Sequence, residues 1–410
     1  MILSFSLLFL LLFILFKYYE YGVILIAALY IWLDLFSVAS SNILTYVSVA
    51  ALGLFFIKEK NKAVLFSVPA KISLSLIGLS YLATGIFAET PNIIPAILNT
   101  IREVLMVFLV CSILKQNKAV FARFYIQVSI VFAAAFISLT VIEMLTSANK
   151  YIDFVTNLNA YRVDTYIDEL RYGFKRCQSL FSMHTTLGGA AIVTCFPIAW
   201  YYFINKSGNL LKVLFWIACA FFCCYASGAR STMVGCAIVS LAFVKRSYLS
   251  PKYLIVLLFL FFLIYVNLST EINEVYDSLV NSDTVGGSDT DMRMEQLSIS
   301  LKYLNRNFIL GNGIYAWTEV AQRTNLYGAE SIWFGLMIDR GIIGVIALVV
   351  FNIDLLMYVL KKHILRLLFF IVGFLVLSSM SSLPNIIYTY ITVPVLVMCT
   401  IFDNAVKHNK

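Results

Sequence analysis

Charge is the scarce ingredient of this chain: only 13% of its 410 residues are Asp, Glu, Lys or Arg, while 61% are hydrophobic. A soluble domain of this size has no core large enough to hide so much apolar side chain. The ten-residue alternation that marks the strands of a membrane β-barrel is also missing. So is metal-site spacing: the eight cysteines lie mostly inside apolar runs, and no Cys-x-x-Cys pairs occur. Cys177 falls in a long polar loop without a partner there, so disulfides are not expected. The first residues, "MILSFSLLFLLLFILFKYYE", lack a basic leader and a small-residue cleavage site. They read as a retained first helix rather than a cleaved signal. No inverted repeat of the transporter kind and no low-complexity tract stands out.

What the chain does have is apolar runs such as "YLIVLLFLFFLIYVNL" (253–268) and "GIIGVIALVVF" (341–351). A membrane span needs about 20 predominantly apolar residues. The expected spans are 2–16, 21–40, 42–57, 72–88, 93–114, 119–145, 184–204, 211–226, 231–246, 253–268, 331–359, 364–383 and 385–402. The first is the weakest, so the fold class is an all-α polytopic membrane bundle of 12 or 13 spans.

The net charge of +8 suggests nucleic acid only until the charges are placed. Lys and Arg cluster in short joints such as "KEKNK" (58–62), "KRSYLSPK" (245–252) and "KKHILR" (361–366). That is the pattern of cytoplasmic joints, and the nucleic-acid reading is dropped. Parity then puts two long loops, 146–183 and 269–330, on the outer face. The organisation is N-terminal spans 1–145, first outer loop 146–183, four central spans 184–268, second outer loop 269–330, and C-terminal spans with a cytoplasmic tail 331–410.

The second loop divides by charge. Residues 271–291 hold six acids and no base. The stretch 292–308 then turns amphipathic, with Met294, Leu297, Leu301, Leu304 and Phe308 spaced 3, 4, 3, 4 as on one helical face. It is expected on the outer leaflet or over the mouth of the bundle, and "GNG" (311–313) ends it.

The candidate functional residues gather on the outer face. The first loop brings Arg171, Lys175 and Arg176, then His184; the joint "SGARS" (227–231) carries Arg230; the second loop carries Arg293 and delivers Glu330 at the lip of a span. Each has a plain structural alternative. An arginine at a helix end snorkels to headgroups, Lys175 is a surface charge, His184 starts a helix, and Glu330 is a dipole partner for the span after it. Several arginines and one carboxylate forced to one face favour a site instead, because guanidinium groups match phosphate bidentately. "DTD" (289–291) is too short a match for a metal motif, and "GNGIYA" follows no strand of a βαβ unit. Arg102 and Glu103 are intramembrane charges, functional by default; pairing with Asp339 or Arg340 of a later span is the favoured explanation.

The order of these motifs resembles a known family. "RCQSLF" (176–181) opens a span, "SGARS" (227–231) forms a joint, "RMEQLSISLKYLNRNFILGNG" (293–313) is an Arg-led helix ending in Gly-x-Gly, and a polar pair precedes "GIIG" (341–344). Over about residues 170–350 this resembles the Wzy polymerase and O-antigen ligase superfamily of bacterial envelopes. The resemblance implies a membrane-embedded glycosyltransferase with neither metal nor cofactor. Its substrates would be undecaprenyl-diphosphate-linked oligosaccharides at the periplasmic side of the inner membrane, and a chain-length regulator protein would be a partner. Ligases of the family carry a His-Asn-like pair ahead of the Gly-x-x-Gly, with nine residues between. Counting back from Gly341, that pair falls on Glu330 and Ser331, so a carboxylate stands where a ligase has histidine, which favours polymerase.

On this reading Arg176, Arg230, Arg293 and Arg171 hold the diphosphate. Glu330 is the base, with His184 in reserve, and attack opposite the leaving group inverts the anomeric centre. One preorganised donor at developing charge is worth about 3 kcal/mol. Gly228, Ser227 and Ser231 are expected to let a bulky lipid headgroup approach Arg230. An O-antigen ligase, a lipid-linked glycan flippase and a structural scaffold are the competing readings; the last two sit poorly with a one-sided set of arginines and two large outer loops.

Overall fold

The computed structural model describes residues 2–38, 41–58, 71–116, 118–157, 170–171, 174–181, 183–205, 210–244, 290–324, 331–381 and 387–407. The N-terminal part contains α1 (Ile2–Lys17), α2 (Tyr19–Ala28), α3 (Tyr30–Leu33), α4 (Ile43–Lys58), α5 (Lys71–Phe87), α6 (Ile93–Asn99), α7 (Met106–Gln116) and α8 (Lys118–Thr146). A π-helical turn, Thr100–Leu105, joins α6 to α7. Then come α9 (Lys150–Asn157), α10 (His184–Ile204), α11 (Leu210–Ala226) and α12 (Arg230–Ser240). The remainder is α13 (Thr290–Arg306), α14 (Ala316–Arg323), α15 (Ile332–Lys361), α16 (Leu367–Met380) and α17 (Ile387–Lys407). Among the described residues the strands are two-residue hairpins, β1 (Ser37–Val38) with β2 (Ser41–Asn42) and β3 (Leu170–Arg171) with β4 (Phe174–Lys175).

Among the described residues four helices are long and apolar enough to cross a membrane: Ile93–Leu114, Ala119–Thr146, His184–Ile204 and Ile332–Lys361. Shorter apolar helices accompany them, and the whole is an all-α membrane fold. The burial pattern agrees with lipid as the outer solvent. α1 turns Phe9, Leu10, Phe13 and Phe16 outward and packs Leu8, Leu11 and Leu15 inward, while Ser48, Thr84, Asn99, Arg102 and Glu103 are buried inside. The expected spans 184–204 and 331–359 appear nearly as read. The span expected at 253–268 lies outside the described residues.

The span expected at 21–40 is not one helix. α2 stops at Ala28, and the chain turns through α3 and the β1–β2 hairpin. Asn42 fixes the turn. Its amide donates to the Asp34 main-chain carbonyl and, at 2.7 Å, to the Asp34 carboxylate. Its oxygen accepts from Leu44 N at 2.8 Å, which caps the start of α4.

α15 kinks at Gly341, whose φ of 58° and ψ of −154° break the helical ladder. The groups this frees are satisfied by the chain after α13. Asn312 N donates to Ile338 O (2.9 Å), Gly313 N to Asp339 O (3.2 Å), and Ile342 N to Phe308 O (2.9 Å). The backbones meet so closely that a Cβ on Gly341 would lie 2.6 Å from Gly311 N. The Gly-x-Gly thus ends α13 and also plugs the kink. α13 itself lies along the first half of α15, sharing an apolar cluster in which Ile299 and Tyr303 meet Phe334 and Ile338. Its buried face includes Gln296 and Ser300, whereas Met294, Leu301 and Phe308 of the apolar stripe are exposed and Leu304 is buried.

Arg102 and Glu103 belong to one network with Asp34, Tyr81 and Arg340. Arg102 Nη2 lies 3.2 Å from Glu103 Oε1, and Arg102 Nη1 lies 3.5 Å from Asp34 Oδ1. Tyr81 OH donates to Glu103 Oε2 at 2.6 Å, and the Arg340 guanidinium sits 4.1 Å from the Tyr81 ring centroid. Arg340 Nη1 also donates to Ser80 Oγ (3.0 Å). The pairing of Arg102 and Glu103 is therefore mutual, with Arg340 joining through Tyr81. Asp339 serves the backbone instead. Its carboxylate accepts from Trp317 N (2.7 Å) and Tyr315 N (3.2 Å), at the start of α14.

Candidate functional site

The joint between α11 and α12 is locked by its own small residues. Gly228 takes a φ of 62° and its N–H donates to Tyr225 O at 2.8 Å. Ser227 Oγ donates to Cys224 O (2.7 Å) and meets Thr232 Oγ1 at 3.2 Å. Ser231 Oγ is hydrogen-bonded to Ser381 Oγ beyond the end of α16. Ser227, Gly228 and Ser231 are buried. Their hydroxyls and backbone tie the joint together and set Arg230, half-buried, as the first residue of α12.

Arg176 is brought to the same joint. Cys177 N donates to Ala226 O at 2.9 Å, and Arg176 Nε donates to Ser227 O at 3.2 Å. The residue is 8% exposed. His184, half-exposed, opens α10 one turn before Gly188. A Cβ on Gly188 would lie 2.4 Å from Thr232 Cγ2, so α10 touches the first turn of α12. Arg176, His184 and Arg230 therefore converge on one end of the bundle. Arg171 lies in the β3–β4 hairpin, where its backbone is registered with Phe174.

The start of α15 joins this end through α16. Trp333 Nε1 donates to Ser379 Oγ at 2.9 Å, two residues from the Ser381 that holds Ser231. Ser331 caps α15, its Oγ accepting from Trp333 N at 3.3 Å. Glu330, the residue before that cap, lies outside the described residues. Arg293 sits in the first turn of α13, six residues before Ile299. At 1.5 Å per residue that is roughly 9 Å along the axis. Because α13 and α15 run side by side in the same direction, this places Arg293 toward the side from which the chain enters α15. Ser379 and Ser381 are not singled out by sequence, where two hydroxyls at the end of an apolar run carry no motif. Among the described residues no group of three or more His, Cys, Asp or Glu side chains converges as a metal site would require.

The fold and this end of the bundle define an all-α membrane protein whose helix starts gather arginines, histidine and hydroxyls. Residues 213–349, about a third of the chain, match a family model described as O-antigen ligase. The match supports the O-antigen polymerase and ligase superfamily, and with it an enzyme of membrane glycosyltransferase type. It spans Arg230, Arg293, Glu330 and the Gly341 kink, but not Arg171, Arg176 or His184. No curated protein matches the chain.

Proposed function

We propose that the chain is a polysaccharide polymerase that moves a growing undecaprenyl-diphosphate-linked glycan onto the next lipid-linked repeat unit. The observation that carries the proposal is the seating of Arg176 against the joint that presents Arg230, at the end of the bundle where α15 begins. Its setting would be the periplasmic face of a bacterial inner membrane, and the product an O-antigen or capsular polysaccharide.

The chemistry follows from charge. The acceptor hydroxyl attacks the anomeric carbon, the bond from that carbon to the diphosphate oxygen breaks, and the hydroxyl proton passes to a base within hydrogen-bond reach. Glu330 is that base, His184 the reserve. Undecaprenyl diphosphate leaves with the bonding pair, and Arg176, Arg230, Arg293 and Arg171 stabilise its growing charge. Attack from the opposite face inverts the anomeric centre.

An O-antigen ligase, which passes the finished glycan to lipid A-core, is the second reading, favoured by the description of the matching family model. Against it stands Glu330 at the ligase histidine position. Purified protein in lipid, given an undecaprenyl-diphosphate repeat unit with and without lipid A-core, separates the two. A ladder without the core acceptor supports polymerase. Product only with the core acceptor means ligase, and no product with either overturns both.

A further inference from the structure

Glu143 stands three residues from the end of α8, a helix otherwise almost wholly apolar, and is 2% exposed. A carboxylate kept in such a place needs donors, and one of its oxygens has three. Oε2 accepts from Ser179 N at 2.7 Å, from Gln178 N at 3.0 Å and from Asn149 Nδ2 at 3.0 Å. Two of these are consecutive main-chain N–H groups just after Arg176 and Cys177. Asn149 Nδ2 also donates to Ser179 O at 2.8 Å, closing the clamp.

The clamp holds a strained turn. Ser179 has a φ of 55°, a left-handed conformation that a non-glycine residue keeps only where its surroundings enforce it. Its Oγ donates to Phe136 O at 2.6 Å, and Phe181 packs its ring on Phe132 and Phe136. The segment 176–181 is thus pinned to α8 on one side and, through Arg176 and Cys177, to Ala226 and Ser227 of the joint on the other. Apolar packing alone would hold the segment in place loosely. A carboxylate on successive amides fixes the backbone to hydrogen-bond tolerance, which is what a guanidinium at a reacting diphosphate requires.

We infer that Glu143 is a positioning residue for Arg176: through the amides of Gln178 and Ser179 it sets the guanidinium against the joint where the leaving diphosphate forms. The inference rests on the reading of Arg176 as a diphosphate ligand. Glu143 touches no substrate, and its effect passes through the loop. Its other oxygen, Oε1, has no hydrogen-bond partner among the described residues, so an amide there would break no bond.

The test uses the full-length protein in nanodiscs with an undecaprenyl-diphosphate repeat unit, comparing Glu143→Ala, Glu143→Gln, Arg176→Ala and the double alanine variant. Arg176→Ala is expected to slow the ladder about a hundredfold, Glu143→Ala nearly as much, and the double variant no further, because a misplaced arginine and a missing one lose the same contact. Glu143→Gln keeps its amide oxygen under the three donors and stays within about threefold of the parent. Multiplying losses in the double variant, or parental rate in Glu143→Ala, overturns the inference. Parental rate in Arg176→Ala overturns the role of Arg176 itself, a distinguishable result.

A readout independent of turnover comes from Cys177, which is fully buried, its thiol pushed up to about 12 by burial and, to a lesser extent, by the nearby Glu143 carboxylate. A maleimide at pH 8, corrected with a Cys177→Ser control, should leave Cys177 unmodified in the parent and in Glu143→Gln and label it in Glu143→Ala. An inert Cys177 in folded Glu143→Ala contradicts the clamp even if no ladder is ever seen. Should Glu143→Ala fail to fold, Asn149→Ala, which removes one donor of three, is expected to give a partial form of both effects, and parental behaviour there counts against the inference.

Discussion

Two arginines are buried in this molecule by different means. Arg102 lies in the π turn between α6 and α7, with the Asp34 and Glu103 carboxylates at 3.5 and 3.2 Å and Asn99 Oδ1 at 3.1 Å. Arg176 lies in a loop at the end of the bundle, and the Ser227 carbonyl steers it through Nε, the guanidinium nitrogen nearest the backbone. Around Arg102 opposite charges close on one another, tying α3, α5 and α15 together. Around Arg176 the main chain sets a direction. The first arrangement is a device of the fold. The second fixes the side chain to the backbone of the α11–α12 joint, and the lesson is that burial of an arginine does not by itself mark function.

This contrast can be broken by substitution, and the largest effect falls on the structural side. Glu103→Ala leaves Arg102 and Tyr81 without their shared acceptor, and removing one partner of a buried pair typically costs about 3–5 kcal/mol. Thermal unfolding in detergent should register the loss. Next comes Arg230→Ala, expected to lower the transfer rate about a hundredfold, or about 3 kcal/mol, with the unfolding temperature unchanged. Equal damage to stability would place Arg230 with Arg102 instead. Gly341→Ala is smaller: at a φ of 58°, with Gly311 N and Phe308 O within 2.7 Å of the new carbon, it should cost about 1–3 kcal/mol of stability and loosen α13 from α15. Smallest is Ser381→Ala, which removes the tie to Ser231 and should cost about 1 kcal/mol, read as a modest fall in rate.

How much of this is legible in the sequence depends on how local each cause is. The apolar run 184–204 reads as a helix and spans His184–Ile204 as α10, since hydropathy along one run decides it. The break in the 21–40 run is not legible, because it depends on Asn42 reaching back to Asp34. Both glycine motifs, 311–313 and Gly341, are visible as motifs. Their embrace is not, being a match between two backbones that sequence spacing does not encode. The arginines of the candidate site can be read as a set, since residue type and loop placement name them. Glu143 escapes such a reading because a single carboxylate near the end of a span carries no pattern until the amides of Gln178 and Ser179 are seen on it.

The measurement closest to the central claim is binding of undecaprenyl diphosphate, the released product, to the purified protein and to Arg230→Ala in nanodiscs of one composition. If the arginines hold the diphosphate, the parent binds it saturably and the variant loses about tenfold or more in affinity, with both proteins equally stable. Equal affinity in the two would contradict it, and the arginine end of the bundle would then not be where the diphosphate is held.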